Sequence, residues 1–229
     1  MTIPNSEFRI PNCTRRVSLF CGHYGSGKTN LAVNWALSLR AAGLPVALAD
    51  IDIVNPYFRS KDSEAALAAQ GVQVVSLPFA NSSVDLPSLP SAVYGLVQRR
   101  DIYAVMDIGG DDRGALALGR FAPYIAEENN YDMFFVVNFY RPLTPTAEDA
   151  LAVMNEISAV CPLKFTAIVN NSNLGEATAP ADIEKTFSEA ARLSALCGLP
   201  VAFTSVHRPL AGQTEGENMF YIDLQRKPF

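Results

Sequence analysis

Three glycines, a lysine and a threonine fall within the stretch Gly22-His23-Tyr24-Gly25-Ser26-Gly27-Lys28-Thr29, in the spacing G-x-x-x-x-G-K-[ST]. Glycines at these positions let the backbone curl until successive N–H groups face one point, and a helix opening at the lysine adds the positive end of its dipole. That is the chemistry of phosphate binding. Lys28 would reach the β- and γ-phosphates of a nucleotide, and Thr29 would offer its hydroxyl to Mg²⁺. The expected contact set is Gly22, His23, Tyr24, Gly25, Ser26, Gly27, Lys28, Thr29 and Asn30. The plainer alternative is a glycine-rich turn that matches by chance. It fares poorly here, because Val17-Ser18-Leu19-Phe20-Cys21 reads as a strand before the motif and a helical pattern follows it.

Phosphate binding through a metal also needs carboxylates. The apolar run Ile102-Tyr103-Ala104-Val105-Met106 ends in Asp107-Ile108-Gly109-Gly110, so a strand would deliver Asp107 toward the metal and Gly110 would bring its amide near a γ-phosphate. A second acidic signal, Asp50-Ile51-Asp52, follows another apolar run; carboxylates at i and i+2 of an extended chain share one face. One of the two would hold metal-bound water while the other orients an attacking water, unless both merely end the strand. Arg59, Arg113 and Arg141 stand after strands and could balance γ-phosphate charge, although an isolated arginine is more often a surface group.

These side chains need a scaffold that brings strand ends together. Apolar runs at 17–21, 45–51, 72–77, 102–108, 132–138, 164–170 and 200–205 alternate with helical patterns, the signature of parallel strands joined by crossover helices. Met133-Phe134-Phe135-Val136-Val137 is apolar throughout, as a strand covered on both faces must be. Ala32, Trp35, Ala36 and Leu39 recur at helical spacing and place one apolar stripe against the sheet. That helix should end at Gly43, as another should at Gly198, each glycine being followed by Leu-Pro. Thr144-Pro145 reads as an N-cap and first helical position, opening a helix to about Val160. Phe220, Ile222 and Leu224 alternate with polar neighbours, a period that fits a strand and argues against a membrane-binding helix. The expected fold class is α/β: three layers, a mostly parallel sheet of about seven or eight strands with helices on both faces, and one domain over 1–229.

Composition narrows the function classes. At 229 residues, with 49% hydrophobic residues, the chain can bury a core of full size. A net charge of −5 disfavours a nucleic-acid partner, and the pairs Arg15-Arg16, Arg99-Arg100 and Arg226-Lys227 read as solvated surface. Cys13, Cys21, Cys161 and Cys197 are scattered and only His23 and His207 could add imidazoles, which disfavours a structural zinc or iron-sulfur centre. The N-terminus has no signal-peptide pattern and no run approaches a membrane span, so the expectation is a cytoplasmic protein with reduced thiols and no membrane partner.

Together the three motifs resemble the MinD/ParA branch of P-loop NTPases, which includes CobQ/CobB-type enzymes. The phrases Asp-Ile-Val-Asn-Pro-Tyr-Phe-Arg (52–59), Gly-Gly-Asp-Asp (109–112) and Arg-Pro-Leu-Thr (141–144) are similar to those of a bacterial group of MinD-like ATP-binding proteins. The resemblance implies a P-loop ATPase that binds ATP with Mg²⁺, releases ADP, and acts as a nucleotide-driven switch. The alternative is an ATP-dependent enzyme of the CobQ/CobB or dethiobiotin-synthetase type that activates a small carboxylic acid. The resemblance to the MinD/ParA branch makes Asp52 the water-positioning residue beside Lys28, assigns Thr29, Asp50, Asp52 and Asp107 to the metal, and makes Asn170 the adenine reader. Asn171 and the stretch 205–210, with His207, would line the base. Asn170-Asn171-Ser172-Asn173 is not the N-K-x-D guanine reader, which favours adenine. Dimeric members carry a lysine where this chain has His23, so the expectation is a monomer, or a homodimer whose association does not depend on nucleotide, at pH 7.5. A protein partner is not identified by any motif.

Overall fold

The apolar runs become eight strands of one sheet in the computed structural model, which describes residues 15–51, 61–76, 91–109 and 118–225. Along the chain these are β1 (Val17–Cys21), α1 (Lys28–Ala41), β2 (Val46–Asp50), α2 (Lys61–Ala69), β3 (Val72–Ser76), α3 (Ser91–Gln98) and β4 (Tyr103–Asp107). Then come α4 (Ala122–Glu128), β5 (Tyr131–Val137), α5 (Ala147–Val160), β6 (Ala167–Asn170), α6 (Pro180–Glu184), α7 (Phe187–Cys197), β7 (Val201–His207) and β8 (Met219–Ile222). The order across the sheet is β3-β2-β4-β1-β5-β6-β7-β8 and every pairing is parallel. Chain connections leave β1 toward β2 on one side, while the chain passes from β4 over β1 to β5 on the other. This reversal makes the C-terminal end of β1 the place where a parallel sheet opens a crevice for ligands.

Each face of the sheet carries its own core. On one, Phe20, Leu48, Val105, Phe134 and Phe203 meet α1 and Leu67 of α2. Trp35 of α1 is the centre of this layer: it is fully buried, stacks on Phe203 at 5.4 Å, and meets Phe20, Phe134 and Phe220 edge-on. Its indole N–H donates to the Ser18 hydroxyl at 3.0 Å, satisfying the one polar atom such a ring brings inside. On the other face α3, α4, α5 and α7 cover Leu19, Cys21, Met106, Phe135 and Ile168.

Helix ends follow the sequence with one correction. Gly43 and Gly198 adopt left-handed conformations at φ 84° and 72°. The helix expected to be capped by Thr144 starts instead at Ala147, with Thr146 as N-cap accepting from the Asp149 amide at 3.2 Å. Thr144 is buried and spends its hydroxyl on the Asn138 carbonyl at 2.8 Å, closing the loop after β5. The strand read at 164–170 is confined to 167–170.

A second correction concerns Arg15-Arg16, read as surface. Arg16 is buried, with its guanidinium donating to the carbonyls of Val97 (2.9 Å) and Ile102 (3.2 Å) and, through Nε, to Glu128 (2.6 Å). A second Arg16 nitrogen and Arg100 close on the same carboxylate. The interaction ties the start of β1, the start of β4 and the end of α4 at the end of the strands opposite the loop between β1 and α1. Arg16 holds the Glu128 carboxyl below its ordinary range and Arg100 adds to this, against the opposing effect of burial. A carboxylate with a depressed folded pKa stabilises the protein above the ordinary value and loses that contribution as pH falls through the depressed one. Glu128→Ala should therefore lower the unfolding free energy by about 3 kcal/mol at pH 7, because Arg16 is left buried without its counter-charge. In urea denaturation the gap between wild type and variant should narrow below about pH 4. A gap unchanged down to pH 3 would show that the carboxylate's charge is not what matters.

Candidate nucleotide site

The loop between β1 and α1 lies on the crevice, and glycine is required at both of its ends by close approach. A side-chain carbon at Gly22 would stand 2.3 Å from the Val136 carbonyl oxygen of β5. At Gly27, where φ is +89°, it would stand 2.2 Å from Nδ2 of Asn171. The turn brings the Ser26 amide to the His23 carbonyl at 3.1 Å, and Gly27 starts α1 with no side-chain cap on its first amides. Lys28 is 6% exposed, and its Nζ donates to the His23 carbonyl at 3.2 Å across the loop. Ser26 is 3% exposed, and its hydroxyl has no hydrogen-bond partner among the described residues. Uncapped helix amides, a sequestered ammonium and an orphaned buried hydroxyl converge within one short loop. An anion with several acceptor oxygens fits them, and a nucleotide phosphate is such a group.

The carboxylates arrive from the neighbouring strands. Asp50 ends β2 and Asp107 ends β4 in direct register, and the Ile51 amide donates to the Asp107 carbonyl at 2.9 Å. Thr29 donates its hydroxyl to Asp107 Oδ2 at 2.5 Å. Thr29 and Asp107 thus bring hard oxygen donors together beside the loop, with Asp50 at the end of the next strand, and oxygen is the donor type that suits Mg²⁺. Among the described residues no cluster of three or more His, Cys, Asp or Glu forms a metal site. Asp52 and Gly110 lie outside the described residues, as do Arg59, Arg113, Cys13 and the Arg226-Lys227 pair.

At the ends of β5, β6 and β7 a buried polar network replaces apolar packing. Asn171 donates Nδ2 to the Ser26 carbonyl at 2.6 Å and accepts from the Ser205 hydroxyl through Oδ1, while its own amide donates to Val137 at 2.8 Å. Asn170 is fully buried; it donates to Thr186 at 2.9 Å and accepts from the Ser172 hydroxyl at 2.7 Å. Of the two asparagines, Asn171 is the one that touches the phosphate loop. His207 ends β7 half-buried, next to the short turn Arg208–Leu210. Asn30 turns its side-chain carbonyl to the Gln225 amide at 3.0 Å, and Asn34 clamps the Asp223 backbone at 2.8 and 2.9 Å, so the segment 223–225 runs along the first turns of α1. His23 is half-buried with Nδ1 3.0 Å from the Tyr24 carbonyl, and Tyr24 is exposed.

Several of these contacts were beyond sequence reading. The Asn171–Ser26 bond joins residues far apart in the chain, and no spacing announces it; the only signal is that asparagines end two successive strand runs, at Asn138 and Asn170. Cys21, the last residue before the loop, is buried and its thiol is pushed up to about 12 by desolvation, so it is a packing group here.

No family model and no curated protein matches the sequence. Solved structures do match in fold. FtsY from Mycoplasma mycoides superposes with a TM-score of 0.55 at 16% identity, covering 85% of this chain and 61% of that one. The signal recognition particle receptor FtsY from Elizabethkingia anophelis in complex with GDP gives 0.53 at 17% identity, over 84% and 57%. FlhF complexed with GTP and Mg²⁺ gives 0.53 at 13% identity, over 87% and 68%. The chain thus spans 57% to 61% of the length of these two FtsY structures. The fold is the three-layer α/β fold of P-loop NTPases, with an eight-stranded parallel sheet.

The close approach at Gly27 gives a test of the loop's architecture. Asn171 is held at both ends of its amide and cannot yield to a methyl group, and φ +89° adds strain for any side chain. Gly27→Ala should cost about 2 kcal/mol or more of stability. In an Asn171→Ala background the further cost should fall to about 1 kcal/mol, the backbone part alone. A double-mutant cycle by chemical denaturation reads this; strictly additive costs would mean that the two residues do not meet.

Proposed function

We propose that the chain is a Mg²⁺-dependent ATPase of the MinD/ParA-like kind, acting as a nucleotide-driven switch. The observation that carries this reading is the loop itself: a buried lysine, an orphaned Ser26 hydroxyl and uncapped helix amides, with Thr29 already on Asp107. In it, loop amides and Lys28 bind the β- and γ-phosphates. Thr29 holds the metal, with Asp50 and Asp107 beside it, and Mg²⁺ when bound neutralises phosphate charge. Asp52 orients a water for in-line attack on the γ-phosphorus, giving ADP and inorganic phosphate. Asp52 and Gly110 would contact the γ-phosphate and lose that contact on hydrolysis, which is the change a nucleotide switch reads. In this reading a base attached to those phosphates rests near the ends of β6 and β7, by Asn171 and His207, while Asn170 is buried with its amide spent on Thr186 and Ser172 and braces the strand end.

Guanine is the second reading, because the FlhF structure holds GTP and one FtsY structure holds GDP. Adenine is favoured by the chemistry of the loop after β6. Guanine offers two donors on its pairing edge and calls for a carboxylate. The segment 170–173 has none, and Asn173 commits both amide atoms to the backbone of Gly175 (3.0 Å) and Asn171 (2.7 Å). Phosphate release and nucleotide competition test the reading together. Mg-ATP should displace a bound fluorescent nucleotide at least about tenfold better than Mg-GTP, a difference of about 1.4 kcal/mol. Asp52→Ala should keep ATP affinity and lose on the order of a hundredfold in turnover. Equal displacement by GTP would remove the adenine assignment, and undiminished turnover in the variant would remove the role of Asp52.

A further inference from the structure

We infer that Arg141 is an arginine that acts in cis on the terminal phosphates of the bound nucleotide, an inference that rests on the nucleotide-site reading above. Arg141 stands on the loop between β5 and α5, and its side chain lies along the phosphate loop. A carbon built on Gly25 would be 3.7 Å from Arg141 Nε and 3.9 Å from Cδ and Cζ. An exposed arginine ordinarily sweeps through solvent, but this one springs from a braced loop. The Arg141 amide donates to the Asn138 carbonyl at 3.1 Å, the Thr144 amide donates to the Arg141 carbonyl at 3.1 Å, and Thr144 donates its hydroxyl to Asn138 at 2.8 Å. Asn138 in turn accepts the Tyr140 amide at 3.0 Å, and the Tyr140 hydroxyl reaches the Asp182 carbonyl at 2.7 Å.

The guanidinium itself has no hydrogen-bond or ion-pair partner among the described residues. Other arginines of the fold do have them: Arg16 with Glu128, Arg99 with Asp101, Arg192 with Glu148, Arg208 with Asp223. A charged fork that is held beside Gly25 with its donors unspent is complementary to a polyanion in the loop. The adjacent Ser26 hydroxyl, buried and unpartnered, points to the same ligand.

During hydrolysis the bond from water oxygen to the γ-phosphorus forms while the bond from that phosphorus to the β,γ-bridging oxygen breaks. Charge accumulates on the departing diphosphate, and the water proton ends on inorganic phosphate. Arg141 meets that charge from the side of Gly25, so its effect is larger on the transition state than on the ground state.

Retention of aluminium fluoride by the diphosphate complex tests this without turnover. Wild type, Arg141→Ala and Arg141→Lys are titrated with Mg-ADP and Mg-GDP, each with and without aluminium fluoride. Arg141→Ala should bind the plain diphosphate within about threefold of wild type and the fluoroaluminate complex at least about a hundredfold more weakly, with Arg141→Lys between them. The melting temperature should not move, since the guanidinium makes no hydrogen bond or ion pair among the described residues. Fluoroaluminate binding equal to wild type overturns the assignment, and so does an equal loss for both ligands, which would mark a plain binding clamp. A wild-type protein that binds neither diphosphate overturns the nucleotide-site reading itself, and this result is distinct from failure of Arg141 alone.

Discussion

The architecture turns on how closely the loop between β1 and α1 is allowed to approach the strands beside it. Gly22 sits against the backbone of β5 and Gly27 against the Asn171 amide, each at a distance that a single methyl group would close. The loop is thereby shaped from outside as well as by its own sequence. Asn171 holds the Ser26 carbonyl, and Ser205 at the third strand along holds Asn171. Displacing β6 or β7 would move the loop, so the sheet's register and the curl of the loop are one constraint.

The two faces of the sheet make that constraint rigid in different ways. Beneath α1, Trp35 and four phenylalanines interlock, so that the helix whose N-terminus carries Lys28 cannot slide along β1. At the far edge the Arg16–Glu128 group fixes where β1 begins relative to β4 and α4. Asp107, at the other end of β4, then meets Thr29 at hydrogen-bond distance. Strand length alone connects the ion pair to the site, because parallel strands in register transmit position from one end of the sheet to the other.

Elements dominated by periodicity were legible in the sequence, and elements dominated by long-range polar contact were not. β1, α1 and β5 follow from uninterrupted apolar runs and a glycine-lysine signature, and β8 follows from alternation at Phe220 and Ile222. Thr144 illustrates the opposite case. Next to a proline it has the local form of a helix cap, yet its hydroxyl finds a better acceptor six residues back and the cap passes to Thr146. Arg16 likewise has the local form of a solvated pair, and only the meeting of β1, α3 and α4 creates its acceptors. Which of Asn170 and Asn171 faces the loop depends on the direction of one peptide unit at a strand end, and sequence spacing carries no such direction.

On the function proposed here, the curl between β1 and α1 is a phosphate site whose charge is supplied by Lys28. Calorimetric titration of wild type and Lys28→Ala with Mg-ATP tests this, since among the described residues Nζ hydrogen-bonds a carbonyl of the loop itself, at His23. Saturable binding to wild type, binding weakened at least about a hundredfold in the variant, and an unchanged unfolding transition are expected. Undiminished affinity in a folded Lys28→Ala protein would contradict it.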